Sequence, residues 1–320
     1  MTVENCGNDV EFPAEPGRLV LLKSAPVPAL HALGVLDRAV ARAGAYPEEY
    51  YDDATRAELA AIPQLTGSTD TGGHLQISKD AVLAQEPDLV LGEVESLPRS
   101  SLAGLGVPLL EEPALCTSGR PEHPGFEDVY AQVEAYGRVF DREDRAREVV
   151  DGLRERVEAV RRETGAHRSG DAGAGDGDAS GEAEDRSDAA SDRSGDAAPR
   201  TAAVLYPTVG GGPVYAYGSQ SMAEPQLEAA GLENAFADVG DRVVEVTPEE
   251  LAGRDPDVLI LLHSDGDPAA VRASLDLIPG AGSLTAVRRG DVMVQLLNYT
   301  EPATPLAVDG LERIAARFGP

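Results

Sequence analysis

The chain has 320 residues, of which 42% are apolar, and a formal net charge of −29. That length supports two domains of ordinary size, and no run of about 18 apolar residues marks a membrane-spanning helix. So acidic a chain repels nucleic-acid phosphates and anionic membrane surfaces, which excludes both as partners.

The opening MTVENCG carries no basic-then-apolar secretion signal. The chain is therefore either cytosolic or what remains once a leader is removed. Two cysteines, Cys6 and Cys116, allow one disulfide and no thiolate metal cluster. From residue 18 strands and helices alternate. RLVLLK (18–23) reads as a strand leading to a helix that ends near Gly34. RAVARA (38–43) is a second strand, followed by a Tyr-rich loop and by GSTDTGGHLQ (67–76). DAVLAQEPDLVLG (80–92) reads as a helix, a stop at Pro87 and a fully buried strand. A short helix, the strand VPLLEE (107–112) and a loop holding Cys116 complete this half.

A helix from about Gly125 to Phe140 precedes a longer one over 141–164. In the longer helix Val149, Val150, Leu153, Val157 and Val160 recur at three- and four-residue spacing. At 1.5 Å per residue it is about 35 Å long, enough to span two lobes. Residues 166–200 have no large apolar side chain and read as a disordered acidic insert rich in Gly, Ser and Asp. With nine acids and four arginines the insert carries only −5 of the −29, so the folded parts are acidic too.

The pattern then repeats. TAAVLY (201–206) is a strand, GGGP (210–213) a turn and PVYAYG the next extended segment. A helix runs from about Met222 to Ala230. EELAGRDPDVLIL (249–261) restates the helix–proline–strand phrase, 169 residues after the first when counted from Pro87 to Pro256. DVMVQLL (291–297) is a strand, and a helix from about Leu306 to Phe318 closes the chain. The expected fold is α/β: two lobes with mainly parallel sheets joined by a single long helix, with a ligand cleft between them. The lobes are assigned to 1–140 and 201–320, with the interlobe helix over 141–165 and the insert over 166–200.

No known catalytic constellation is present. GGGP lacks the spacing and the GK[ST] ending of a phosphate loop. Asp265, Gly266 and Asp267 match only a fragment of a calcium loop and read as a surface turn. Ligands of open parallel sheets bind beyond the carboxyl ends of the strands. Those positions hold Lys23, Tyr46, Glu93, Tyr206, His263, Asn298 and Tyr299. Seven of nine tyrosines, at 46, 50, 51, 206, 215, 217 and 299, fall in loops or at strand ends, and there is no Trp. Those rings are the flat surfaces on which a bulky ligand stacks.

Taken together, PGRLVLL…PALHALGVLDRAVA (16–41), DAVLAQEPDLVLG, LAGLGVPLL (102–110) and FEDVYAQVEAYGRVF (126–140) form a family-like series. VYAYGSQSMAEPQLEAAGLENAF (214–236), VTPEELAGRDPDVLIL (246–261) and VDGLERIA (308–315) continue it. In order and spacing the chain resembles the substrate-binding proteins of ABC importers for iron–siderophores, haem and cobalamin. The resemblance implies a monomeric, non-enzymatic binder that captures a ferric siderophore and delivers it to a membrane permease with its ATPase. It implies no intrinsic cofactor or resident metal, and a place outside the cytoplasm, lipid-anchored or periplasmic. Haem or cobalamin is the alternative ligand. A chelatase-like enzyme on the same scaffold, with His263 as metal base, is the alternative from another class. The resemblance also implies a Cys6–Cys116 disulfide, and docking of Asp80 and Glu249, one per lobe, to permease arginines. The expected cleft lining is Lys23, Tyr46, Tyr215, Tyr217, His263, Asn298 and Tyr299, with the Tyr217 ring facing the cleft.

Overall fold

The structure, a computed structural model, describes residues 1–70, 74–116, 118–165, 199–264 and 266–319. The insert expected at 166–200 therefore lies outside the described residues except for Pro199 and Arg200, and so does Asp265 of the surface turn.

The apolar runs form short buried strands. β3 (Leu19–Leu21), β4 (Ala39–Ala43), β5 (Gln64–Thr66), β6 (Leu89–Leu91) and β7 (Leu109–Leu110) make a parallel sheet ordered β5-β4-β3-β6-β7. Leu19 pairs with Leu89 and Leu21 with Leu91. Strand alternation sends Leu19 and Leu21 into one core and Val20 and Leu22 into another on the opposite face. Burial on both faces is why the strands read as continuous apolar runs. An antiparallel hairpin, β1 (Thr2–Asn5) with β2 (Asn8–Glu11), precedes this sheet. It had no signal beyond a few alternating residues.

The second sheet is ordered β11-β9-β8-β12-β13, from β8 (Arg200–Pro207), β9 (Val214–Tyr217), β11 (Val243–Val246), β12 (Val258–His263) and β13 (Val292–Leu296). β8, β12 and β13 are parallel, whereas β9 runs antiparallel to both of its neighbours, β8 and β11. The short β10 (Leu232–Asn234) pairs with the first residues of β8 and β9 with its last ones. Val258, Ile260 and Leu262 join the main core, while Leu259 and Leu261 face a separate one.

Proline and polar caps set the helix boundaries. α3 (Lys79–Leu83) starts after Ser78, whose hydroxyl accepts from the Ala81 amide, and α8 (Pro248–Arg254) starts after Thr247, which accepts from Glu250. The two repeated phrases are thus capped alike. α5 (Phe126–Val139) and α6 (Glu143–Thr164) lie between the sheets. α6 has 22 residues and is about 33 Å long. Ala146, Val150, Leu153, Val157 and Val160 form its buried stripe, and it packs on α5, α7 (Ala223–Ala229) and α11 (Pro305–Phe318). The main core runs without interruption from the first sheet through α5, α6 and α11 to the second.

Candidate functional site

Both sheets turn their strand carboxyl ends toward one crevice. A cavity of about 450 Å³ lies there. From the first lobe it is lined by Lys23 and Ser24 after β3, Gly44 and Ala45 after β4, and Glu93 after β6. From the second lobe come Ser264 after β12 and Leu297, Asn298 and Glu301 after β13, joined by Arg242. This is where open parallel sheets place their ligands.

Two ion pairs define the polar part of the wall. Lys23 Nζ lies 2.5 Å from Glu111 Oε2, and that oxygen also accepts from the Glu93 amide at 2.8 Å. Gly92 makes the close approach possible. Its φ is +97°, and a Cβ there would sit 2.9 Å from Lys23 Cγ. Glu111 is itself held by Asn5 of the N-terminal hairpin, whose amide side chain bonds both its backbone N–H and its carbonyl. Across the cleft, Arg242 Nε donates to Glu301 Oε2 at 2.8 Å, and Glu301 Oε1 accepts from the Met222 amide. Glu111 and Glu301 are each 1% exposed. Each cation is therefore tied directly to a buried carboxylate.

Beside the cavity, aromatic rings clamp the lobes. Tyr50 and Tyr299 meet edge to face at 5.3 Å. The Asn298 amide donates to the Tyr50 hydroxyl at 2.9 Å, Asn298 Nδ2 donates to Ser24 Oγ at 3.1 Å, and the Tyr299 hydroxyl donates to the Glu49 carbonyl. Burial raises the Tyr50 and Tyr299 hydroxyls above their ordinary pKa, so both stay protonated.

Of the seven expected lining residues, Lys23 and Asn298 face the cavity. Tyr46 turns its hydroxyl to the Leu21 and Lys23 carbonyls and stacks under Arg42. Tyr217 is 4% exposed and belongs to the main core, so its ring does not face the cleft. Strand alternation puts Tyr217 on the core-facing side of β9, and the chain turns away at Gly218. Tyr215 is exposed but lies outside the cavity wall. His263 is buried at the end of β12, and its neighbour Ser264 reaches the cavity instead. Tyr299 acts as the interlobe clamp. Tyr50 is the one ring along the cavity among the described residues.

Sequence reasoning missed Arg242, Glu301 and Glu111, and it named Tyr50 only as one of seven loop tyrosines, outside the expected lining. Arg242 and Glu301 follow no strand signal and come together only through the fold. At the rim, Asp70, His74 and Glu95 bring donor atoms within 4.8 Å of one another, and all three are exposed to water. Asp80 and Glu249 are exposed in the first turns of α3 and α8. Cys6 and Cys116 are joined in a disulfide with Cα atoms 5.2 Å apart, so the expected pairing holds.

The model for the periplasmic binding protein family matches residues 19–170. No curated protein matches. Among solved structures, one described as an ABC-type Fe3+-hydroxamate transport system from Saccharomonospora viridis is 49% identical. The alignment covers 100% of this chain and 99% of that one, with a TM-score of 0.85. A periplasmic haem-binding protein from Pseudomonas aeruginosa is 20% identical, with coverage of 95% and 93% and a TM-score of 0.68. A periplasmic vitamin B12-binding protein from Vibrio cholerae is 16% identical, with coverage of 95% and 97% and a TM-score of 0.61. The last two share the fold. The full-length likeness at 49% identity, on two sheets that share one cleft, makes this chain a member of the periplasmic binding protein family, the solute-binding components of ABC importers.

Proposed function

We propose that this protein captures a ferric hydroxamate siderophore in the interlobe cavity and delivers it to an ABC permease. The full-length likeness to the Saccharomonospora structure carries the reading. The cavity supports it, because its wall mixes apolar positions such as Leu22, Val94 and Leu297 with polar and charged ones. That composition suits a bulky, partly apolar chelate. Lys23, Ser24, Ser264 and Asn298 are the proposed ligand contacts, with Tyr50 as the stacking ring. Mixing the protein with a ferric trihydroxamate, haem or cobalamin, desalting it and scanning the visible range tests the reading. Retention of the hydroxamate colour is expected; retention of haem or cobalamin alone would replace it.

Asp80 and Glu249 are the proposed permease contacts, a role supported by their matched caps and their exposure on separate lobes. Changing both to Ala is expected to abolish cellular uptake and leave ligand affinity intact. A parallel loss of affinity would place them in the binding machinery instead. The proposed setting is extracytoplasmic, with a lipid anchor at the cell surface, where the Cys6–Cys116 bridge persists. Labelling of the cellular protein by a fatty-acid analogue checks the anchor.

A further inference from the structure

We propose that the cleft selects its ligand by charge, admitting neutral and cationic ferric chelates and rejecting anionic ones. This deepens the ferric-hydroxamate reading and rests on it.

The wall has two fixed cations, Lys23 and Arg242, and neither is available to an anion. Each is paired with a glutamate that is 1% exposed, Glu111 for Lys23 and Glu301 for Arg242. An anionic ligand that recruited either cation would leave a buried carboxylate unpaired, which is strongly unfavourable. Two more carboxylates, Glu93 and Glu95, line the same cavity. Glu93 Oε1 accepts from the Arg99 amide at 2.8 Å, and the Arg99 guanidinium, held by the Leu109 carbonyl and Asn5, acts on Glu93 and Glu111 through space without a direct ion pair. Glu95 has the His74 imidazole at 3.9 Å, a cation only when protonated. Among the described residues, Lys23, Arg242 and Arg99 stand against Glu111, Glu301, Glu93 and Glu95, which leaves a formal excess of one negative charge. In a crevice with low-dielectric walls that excess acts on whatever enters. A cationic chelate gains from it, a neutral one is indifferent and an anionic one is repelled.

Three ferric complexes share one iron–trihydroxamate core and differ at the chain end: desferrioxamine, with a terminal ammonium; its N-acetyl derivative, uncharged; and its N-succinyl derivative, anionic. Each is titrated into the full chain at low and high salt, with tyrosine fluorescence as the signal. At low salt the succinyl complex is expected to bind about tenfold or more weaker than the acetyl complex, because unlike or like charges a few ångströms apart in a crevice interact by more than 1 kcal/mol. Salt is expected to narrow the gap. Glu95→Gln is expected to narrow it as well. Glu95 is exposed and makes no short bond, so this variant is expected to fold. Tight binding of the succinyl complex would overturn the inference, and so would a gap that neither salt nor Glu95→Gln changes, which would mean selection by size. Failure of all three complexes to bind would overturn the hydroxamate reading and this inference with it.

Discussion

Glu112 shows how much a single buried group reports on the fold. It lies under the cleft wall, next to Glu111, and accepts from the Tyr136 hydroxyl at 2.8 Å. Burial, with the Glu111 charge adding to it, pushes its carboxyl up to about 8 from its ordinary value of 4.5. The folded state keeps this proton in a range where the unfolded chain has lost it. The stability it confers is complete below about 4.5 and is lost as pH rises through about 8. A one-proton difference gives a slope of about 1.4 kcal/mol per pH unit across that window. Glu112→Gln cannot ionise, so its stability relative to wild type is expected to climb from pH 5 to 8. Urea unfolding at several pH values measures the difference, and a constant one would mean that Glu112 is already ionised in the folded protein. Tyr50 offers a second test. Tyr50→Phe leaves the Asn298 N–H without its acceptor in a half-buried site, at an expected cost of about 1–3 kcal/mol in urea unfolding. Lys23 and Asn298 were legible as cavity-lining residues because each lies at the carboxyl end of a strand. The tyrosines were not, because composition marks a ring without showing whether it faces a core or a cleft. Tyr46 satisfies hydroxyl and ring within the fold, Tyr217 packs its ring into the main core, and Tyr50 is the tyrosine that reaches the cavity among the described residues.

Elements carry these residues, and two contacts fix the ones that matter most. Gly310 in α11 passes under the segment bearing Asn298 and Tyr299; a Cβ there would sit 1.7 Å from the Tyr299 carbonyl oxygen. Gln226 of α7 holds the same carbonyl at 2.7 Å. Gly310→Ala must therefore displace the clamp, with an expected loss of about 1–3 kcal/mol in stability and a weakened ligand affinity. Unaltered affinity would show that the Asn298 segment is not part of the binding wall. The N-terminal hairpin is tied down at the other end of the cleft. Its disulfide closes a loop of 110 residues, worth about 4–5 kcal/mol in the chain-entropy model as an upper figure. Because Asn5 of that hairpin holds Glu111, reduction is expected to lower both thermal stability and ligand affinity. The long strands and helices were readable from period and proline. The hairpin, β5, β10 and β11 were not, since three or four residues give no reliable period and their pairing is set by neighbours far along the chain.

At the scale of the whole molecule, two similar α/β halves share one core through α5, α6 and α11, and their strand ends meet over one cavity. The repeated helix–proline–strand phrase made that duplication visible, because both copies need the same cap, stop and buried strand. What no repeat encodes is the wall between the halves, where Lys23–Glu111 faces Arg242–Glu301 and Tyr50 meets Tyr299. The ion pairs join residues 88 and 59 positions apart, and the two rings come from opposite ends of the chain. Iron, carried as a hydroxamate chelate, is proposed to be held there. Anomalous diffraction at the iron edge from crystals grown with ferric desferrioxamine tests it most directly. The account predicts a single strong iron peak inside the cavity bounded by Lys23, Ser264 and Asn298; a peak elsewhere on the molecule, or none in crystals that retain the chelate's colour, would contradict it.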